Sequence, residues 1–294
     1  MKIKRSRDII IFNMITYPSV TLLAIGCLLP FWLIVAAALT DNNAIMINGY
    51  KLIPAEFSLM AFRYIFKAPK AILASYVVTI FITVVGTTVG LVMTTMAGYV
   101  LNRKDFKYRN VLSFYIYFTM LFSGGMIPAY ILIVRVLGLQ NNLLAVILPI
   151  MLSPFLIFLM RNFMKSIPDE IVESAKIDGA GDFKIFSRII LPLSGAGMAT
   201  VGLFLAINYW NNWYIPMLYL TRPALYPLQY YLYNILTSQQ SAQASGVYIE
   251  GMTTFPGESI KMAMTVVATG PILLLYPYIQ KYFVKGITIG AVKG

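Results

Sequence analysis

Histidine is absent from this 294-residue chain, and cysteine occurs once, at Cys27, inside an apolar run. The first absence removes the usual general base and the commonest metal ligand. The second excludes a disulfide framework and a cysteine metal site. The phosphate-cradling spacing G-x-x-x-x-G-K-[ST] is also missing, since "GAGDFK" at Gly179–Lys184 has glycines and a lysine at the wrong separation. Charge is scarce as well. With 12% charged against 59% hydrophobic residues and a mean hydropathy of +0.75, too little polar material exists to clothe a soluble globule of this size. The expectation is an all-α membrane protein with no catalytic residue, no metal and no cofactor of its own.

A bilayer-spanning helix needs about 20 mostly apolar residues. Six stretches come close: Met14–Leu39, Ala71–Leu101, Val111–Val134, Leu143–Met160, Leu193–Leu220 and Ser259–Tyr282. The first is too long for a signal peptide and has no small-residue cleavage site after it, so it reads as a retained span. Pro30, Gly86, Gly90, Gly124, Gly125, Pro149, Gly270 and Pro271 fall within or beside these runs and predict kinks and close helix contacts.

A net charge of +12 raises nucleic acid as a partner, but in a membrane protein basic residues collect in cytoplasmic loops. With the N-terminus inside, sixteen of the 23 lysines and arginines fall on the inner side and six outside, with Lys261 near the start of the last run. The rule puts both termini in the cytoplasm, and no nucleic acid is expected. The layout is then a cytoplasmic N-terminus over 1–13, a six-span transmembrane domain over 14–282, and a cytoplasmic tail over 283–294.

One inner segment departs from the chain's avoidance of charge: "DEIVESAKIDGAGDFKIFSRIILPL", Asp169–Leu193. Pro168 suits a first helical turn, Asp169 and Glu170 complement a helix N-terminus, and Gly179 and Gly181 supply backbone that ends a helix. Asp182 reads as the cap of a second helix running toward Ile190 and stopped by Pro192. Ile167, Ile171, Val172, Ala175 and Ile177 give the first helix an apolar side. Helix pattern alone leaves open whether that side meets lipid headgroups or a groove on a partner.

The residues go further. "ESAKIDGA", followed by "IILPL", resembles the EAA loop of ATP-binding-cassette importer permeases, with matches at Glu173, Ala175, Asp178, Gly179, Ala180, Ile189, Leu191 and Pro192 and a departure at Ser174. "GGMIPAYILIVRVLGLQNNLLAVILP", "YWNNWY" and the closing "PILLLYPYIQKYFVKGITIGAVKG" look like the carbohydrate branch of that family, which holds the six-span maltose permease subunit. The resemblance implies the type I importer permease (MetI-like) fold. It also implies a coupling loop over 161–192 seated in two cytoplasmic ATPase subunits that carry the ATP and magnesium. Further partners would be a second six-span permease subunit, an extracytoplasmic solute-binding protein meeting the outer loop 221–257 with Asp41–Lys70 beside it, and membrane lipid. The tail, with Gly286, Gly290 and Lys293, would lie at the ATPase interface. "NGYKLIPAEFS" is similar to permeases for larger plant- or glycan-derived oligosaccharides.

A sugar path needs aromatic faces and neutral hydrogen-bonding groups. Tyr115 and Phe118 in span three, and Asn208, Trp210, Asn211 and Trp213 near the end of span five, supply both. Tryptophan and tyrosine at span ends also form interfacial belts, whereas amides facing lipid are costly. Glu258 and Lys261 share a helix face and read as a neutralising pair or as a gate at the outer mouth. The alternatives are a permease of the same fold for phosphate, polyamine or amino acids, and a secondary transporter. The second usually shows carboxylates inside its spans and internal repeats, which are not apparent here.

Overall fold

The apolar runs fold as helices because each hydrogen-bonds its own backbone, the one open-chain solution that lipid permits. A computed structural model describes residues 7–67, 69–244 and 257–273 of the chain. The chain divides into two compact units, residues 1–69 with 236–271, and residues 70–235 with 272–294.

In the first unit, α1 (Arg7–Ala38) runs unbroken through Pro18 and Pro30 and is long and apolar enough over Ile11–Ala38 to cross a membrane. Its flank is open, but Ala36, Ala37 and Ala38 at its end are buried. After it come α2 (Asn42–Asn48), capped by the Asp41 side chain and closed by Gly49 at φ +70°, and α3 (Met60–Ile65). Trp32 donates its indole N–H to the Leu52 carbonyl at 2.8 Å, which folds the intervening loop back along α1. The helix over 257–273 begins the sixth expected span. At its head the Glu258 backbone N–H donates to Asn42, Tyr50 donates to the Glu258 carboxylate at 2.8 Å, and Lys261 pairs with that carboxylate at 2.6 Å. The expected pair is thus one part of a four-residue polar network. The rest of Ser259–Tyr282 lies outside the described residues.

The second unit is organised around α4 (Pro69–Asn102), a 34-residue span. One strip of it is glycine, and other helices press close there. A Cβ on Gly90 would lie 2.7 Å from the Met151 carbonyl, and one on Gly98 would lie 3.1 Å from the Arg161 nitrogen. Span three is broken: α5 (Arg109–Leu121) and α6 (Met126–Ile131), which continues as a π turn to Val136, meet at 112°. Gly125, at φ +86°, makes that reversal. Span four is also bent, by 48° between α7 (Leu144–Met151) and α8 (Pro154–Met164). Ser153 precedes Pro154 and is pushed to extended backbone, φ −102° and ψ 122°.

The inner segment forms α9 (Asp169–Ile177) and α10 (Asp182–Ile185), then a π turn over Phe186–Ile190 and α11 (Leu191–Leu193). Two details correct the sequence expectation. Gly181, not Asp182, stands at the N-cap, with extended backbone and no side-chain cap. Pro192 does not stop the second helix, because the preceding π turn widens the backbone where the ring would strike the carbonyl four residues earlier. The chain instead turns by 80° at Ser194 into α12 (Gly195–Asn211), the fifth span. After it, α13 (Tyr214–Tyr219) leads to α14 (Leu228–Ala244). The stretch expected to be an outer loop therefore holds a 17-residue helix, in a run free of glycine and proline.

Candidate coupling loop and translocation face

The Asp-Gly-Ala element of the inner segment has a conformational cause. The Ala180 N–H donates to the Ala175 carbonyl at 2.9 Å and the Gly179 N–H to the Lys176 carbonyl at 3.0 Å, the paired bonds of a Schellman ending. That ending needs a left-handed residue, and Gly179 supplies it at φ +76°. It also brings the alanines on either side of the turn together. Ala175 is buried, and Ala180 packs against the same core, which is built from α4, α8, α10, the π turn and α12, with Tyr99, Met160, Ile185 and Leu205. Larger side chains at 175 or 180 would push the turn off this core.

The apolar side of α9 is thus divided. Ile167, Val172 and Ala175 face the chain's own core, where Ala175 is buried and acts as a spacer under the turn. Glu173, Asp178 and Gly179 are exposed, and so is Pro192, while Leu191 is half-buried against an apolar groove. Two large apolar side chains flank the turn in the open, Ile177 at 87% exposure and Phe183 at 77%. Phe183 was not singled out from sequence. Its signal was an aromatic residue one place after the helix-opening aspartate.

A second feature unseen in the sequence is the C-terminal end of α4. The Arg103 guanidinium forks onto Asp105 at 2.7 and 2.6 Å, donates to the Tyr99 hydroxyl at 2.7 Å, and reaches Asp182 at 3.1 Å. Asp105 also accepts from Lys176 at 2.7 Å. Hydrogen bonds from Arg103 first, and then Lys176, hold the Asp105 carboxyl well below the usual carboxylate range. Beside this cluster Lys104 meets Asp169 at 2.6 Å, an exposed pair. The ammonium of Lys104 is raised by that hydrogen bond.

At the other end of unit two, α12 presents Phe204, Ile207, Asn208 and Asn211 as one exposed stripe at helical spacing. Trp213 stacks on Tyr233 with ring centroids 4.4 Å apart, and Gln229 approaches the Asn211 amide oxygen at 3.5 Å. Trp210, expected beside these residues, is 7% exposed and packs into the chain's own core instead of joining the stripe. Asn212 is spent locally, accepting from the Ile215 N–H at the start of α13. Tyr115 and Phe118 stand on α5, which has no buried residue, and Phe118 stacks on Phe122 at 4.4 Å. Among the described residues no hydrogen bond or ring contact joins them to Asn208, Asn211 or Trp213. Gly286, Gly290 and Lys293 lie outside the described residues.

Apolar spans, a charged helical elbow and an amide-bearing stripe in a span are features of a membrane transport subunit. Residues 90–289 match the family of the binding-protein-dependent transport system inner membrane component, and the chain belongs to that family. It is an ATP-binding-cassette importer permease, a transport subunit located in the membrane. The polygalacturonan/rhamnogalacturonan transport system permease protein YtcP of Bacillus subtilis is 42% identical over 284 residues, covering 97% of this chain and 99% of that one. The arabinooligosaccharides transport system permease protein AraQ of Halalkalibacterium halodurans is 29% identical, covering 90% and 91%. Among solved structures, a chain of a bacterial ABC transporter involved in the import of the acidic polysaccharide alginate superposes with a TM-score of 0.76 at 30% identity, covering 96% of this chain and all of that one.

Proposed function

We propose that this chain passes an oligosaccharide, received from an extracytoplasmic binding protein, through a membrane path shared with a second permease subunit, driven by ATP hydrolysis on two cytoplasmic ATPase subunits. The observation that carries the substrate class is near full-length similarity to permeases named for oligosaccharides or polysaccharides. Two of those names denote uronate polymers, which makes acidic oligosaccharides the first class to test. The exposed Phe204, Ile207, Asn208 and Asn211 stripe suits such a cargo, because sugars offer hydroxyls to amides and C–H faces to apolar groups.

In this reading the loop over 161–192 faces the cytoplasm, with Glu173, Ile177, Gly179 and Phe183 outward, and seats in clefts of the ATPase subunits. The segment over 221–257 meets the binding protein, the termini are cytoplasmic, and nucleotide and magnesium bind the partners only. The test is uptake by proteoliposomes holding both permeases, the ATPase subunits and the binding protein. An oligogalacturonide, an arabinooligosaccharide and inorganic phosphate are offered in turn. ATP-dependent uptake of either sugar supports the reading. Phosphate uptake alone, or transport by this chain without ATPase subunits, refutes it.

A further inference from the structure

Three consecutive residues just beyond α4 meet both helices of the charged segment. Asp169 opens α9, Lys176 lies near its end and Asp182 opens α10, and they pair with Lys104, Asp105 and Arg103 respectively. The pairs are not equivalent. Lys104 and Asp169 are 78% and 51% exposed, a solvated pair of the kind that contributes little. Arg103 is only 14% exposed and spends three nitrogens on Tyr99, Asp105 and Asp182, so its planar fork holds α4, the loop and α10 in one fixed geometry. Asp105 is shared between Arg103 and Lys176, so α9 joins the same cluster.

We propose that Arg103 and Asp105 are positioning residues that latch the two coupling helices to span two, so that displacement of the loop by the ATPase subunits is delivered to α4. The inference rests on the importer reading above. What α4 does with the displacement follows from its packing. Gly90 and Gly98 bring it against the backbone of α7 and α8, beside the bend at Leu152 and Ser153. Gly86 seats Tyr209, one residue along α12 from Asn208. Close-packed contacts of this kind transmit a shift rather than absorb it. The latch therefore links the charged elbow to the amide-bearing face.

The experiment measures ATP hydrolysed per oligosaccharide imported by the complete importer in proteoliposomes. Wild-type complex that fails to import overturns the functional reading itself, before the latch is tested. With wild type active, Asp105→Asn and Lys176→Met should each raise the ratio about tenfold, the size of one lost hydrogen bond to a charged group. The double variant should do no worse than either alone, and Asp105→Glu should restore most of the ratio. Lys104→Ala should keep the wild-type ratio. Assembled Asp105→Asn complex with wild-type coupling overturns the proposal, as do additive losses in the double variant or an equal effect from Lys104→Ala. If Asp105→Asn does not assemble, Lys176→Met decides, because it leaves the Arg103 fork intact.

Discussion

Tyr209 stands directly over Gly86, so close that a Cβ built on the glycine would lie 2.4 Å from the phenol ring, and its hydroxyl donates to the Ile147 carbonyl at 2.8 Å. One side chain of span five thereby fixes its distance to both span two and span four. Gly86→Ala is expected to destabilise the permease by about 1–3 kcal/mol through overpacking. Tyr209→Phe should cost less, about 1 kcal/mol for the lost hydrogen bond. Thermal melting in detergent ranks the two, and a Gly86→Ala melt at or above wild type would show that span five can move aside.

Gly179 should fail for a different reason. A Cβ at this position would meet no atom within 4 Å, and yet the residue adopts φ +76°, so its demand is conformational and costs about 1–2 kcal/mol for an L-residue. Gly179→Asn should be tolerated better than Gly179→Ala, because asparagine visits that region more readily. Gly179→Asp adds a charge at the proposed partner cleft and should abolish stimulation of the ATPase by loaded binding protein. Stimulation equal to wild type in Gly179→Asp would remove the loop from the interface.

Ile177 and Phe183 separate binding from stability. Both are exposed in this chain, so replacing them with serine should leave its melting temperature unchanged. As apolar anchors beside the turn they should carry a large share of ATPase affinity, with each truncation costing about 1–2 kcal/mol. Pull-down of ATPase subunits by the two variants, against Lys184→Ser as a control, gives the measurement. Equal capture by all three would rule out the anchor role.

The sequence displayed some of these relationships and concealed others, for physical reasons. Gly179 was legible because a Schellman ending has a local signature: a left-handed glycine after a short amphipathic helix. The helices of the apolar runs were legible because lipid demands length and apolarity together. The bend of span four was misplaced, because the kink was expected at Pro149, which lies inside α7, whereas Pro154 drives Ser153 to extended backbone and the chain bends there. The long-range pairs were not legible, since Asp105 and Lys176 are 71 residues apart and nothing local distinguishes Asp105 from any loop aspartate. Trp210 and Trp213 look alike in "YWNNWY", and on one continuous helix residues three apart would share a face; the end of α12 at Asn211 and the extended backbone of Asn212 part them, leaving Trp210 inward and Trp213 at the surface. Helix α14 was missed because its apolar periodicity is weak, and its polar residues read as loop.

The Asp105 cluster should give the fold a specific pH response. Its carboxyl is held below the usual range, so the folded state binds the proton less readily than the unfolded chain. The stabilisation is therefore complete above the ordinary carboxylate pKa of about 4 and is lost as pH falls below that value. Because the side chain is 51% exposed, solvent screening keeps the contribution small. The difference in melting temperature between wild type and Asp105→Asn should be constant from neutral pH to mildly acidic pH and shrink in stronger acid. A difference that grows on acidification would mean that Asp105 is not paired in the folded protein.

Asn208 and Asn211 provide the sharpest test of where the path runs. Both are exposed on α12, in a stripe whose other members, Phe204 and Ile207, would suit lipid. If the stripe met lipid, Asn208→Leu and Asn211→Leu would remove costly amides, raise the melting temperature and leave uptake unchanged. If it lines the path, each amide hydrogen-bonds sugar hydroxyls, and its loss should lower uptake about tenfold, with the melting temperature held or raised. Trp210→Phe is the contrasting variant, since a buried ring trimmed within the core should lower the melting temperature and leave the sugar concentration dependence intact. Falling uptake with a steady melt for the asparagines, beside a falling melt for Trp210, is the expected pattern. Full uptake in the double Asn208→Leu, Asn211→Leu permease would turn this face outward to lipid and send the sugar along another surface.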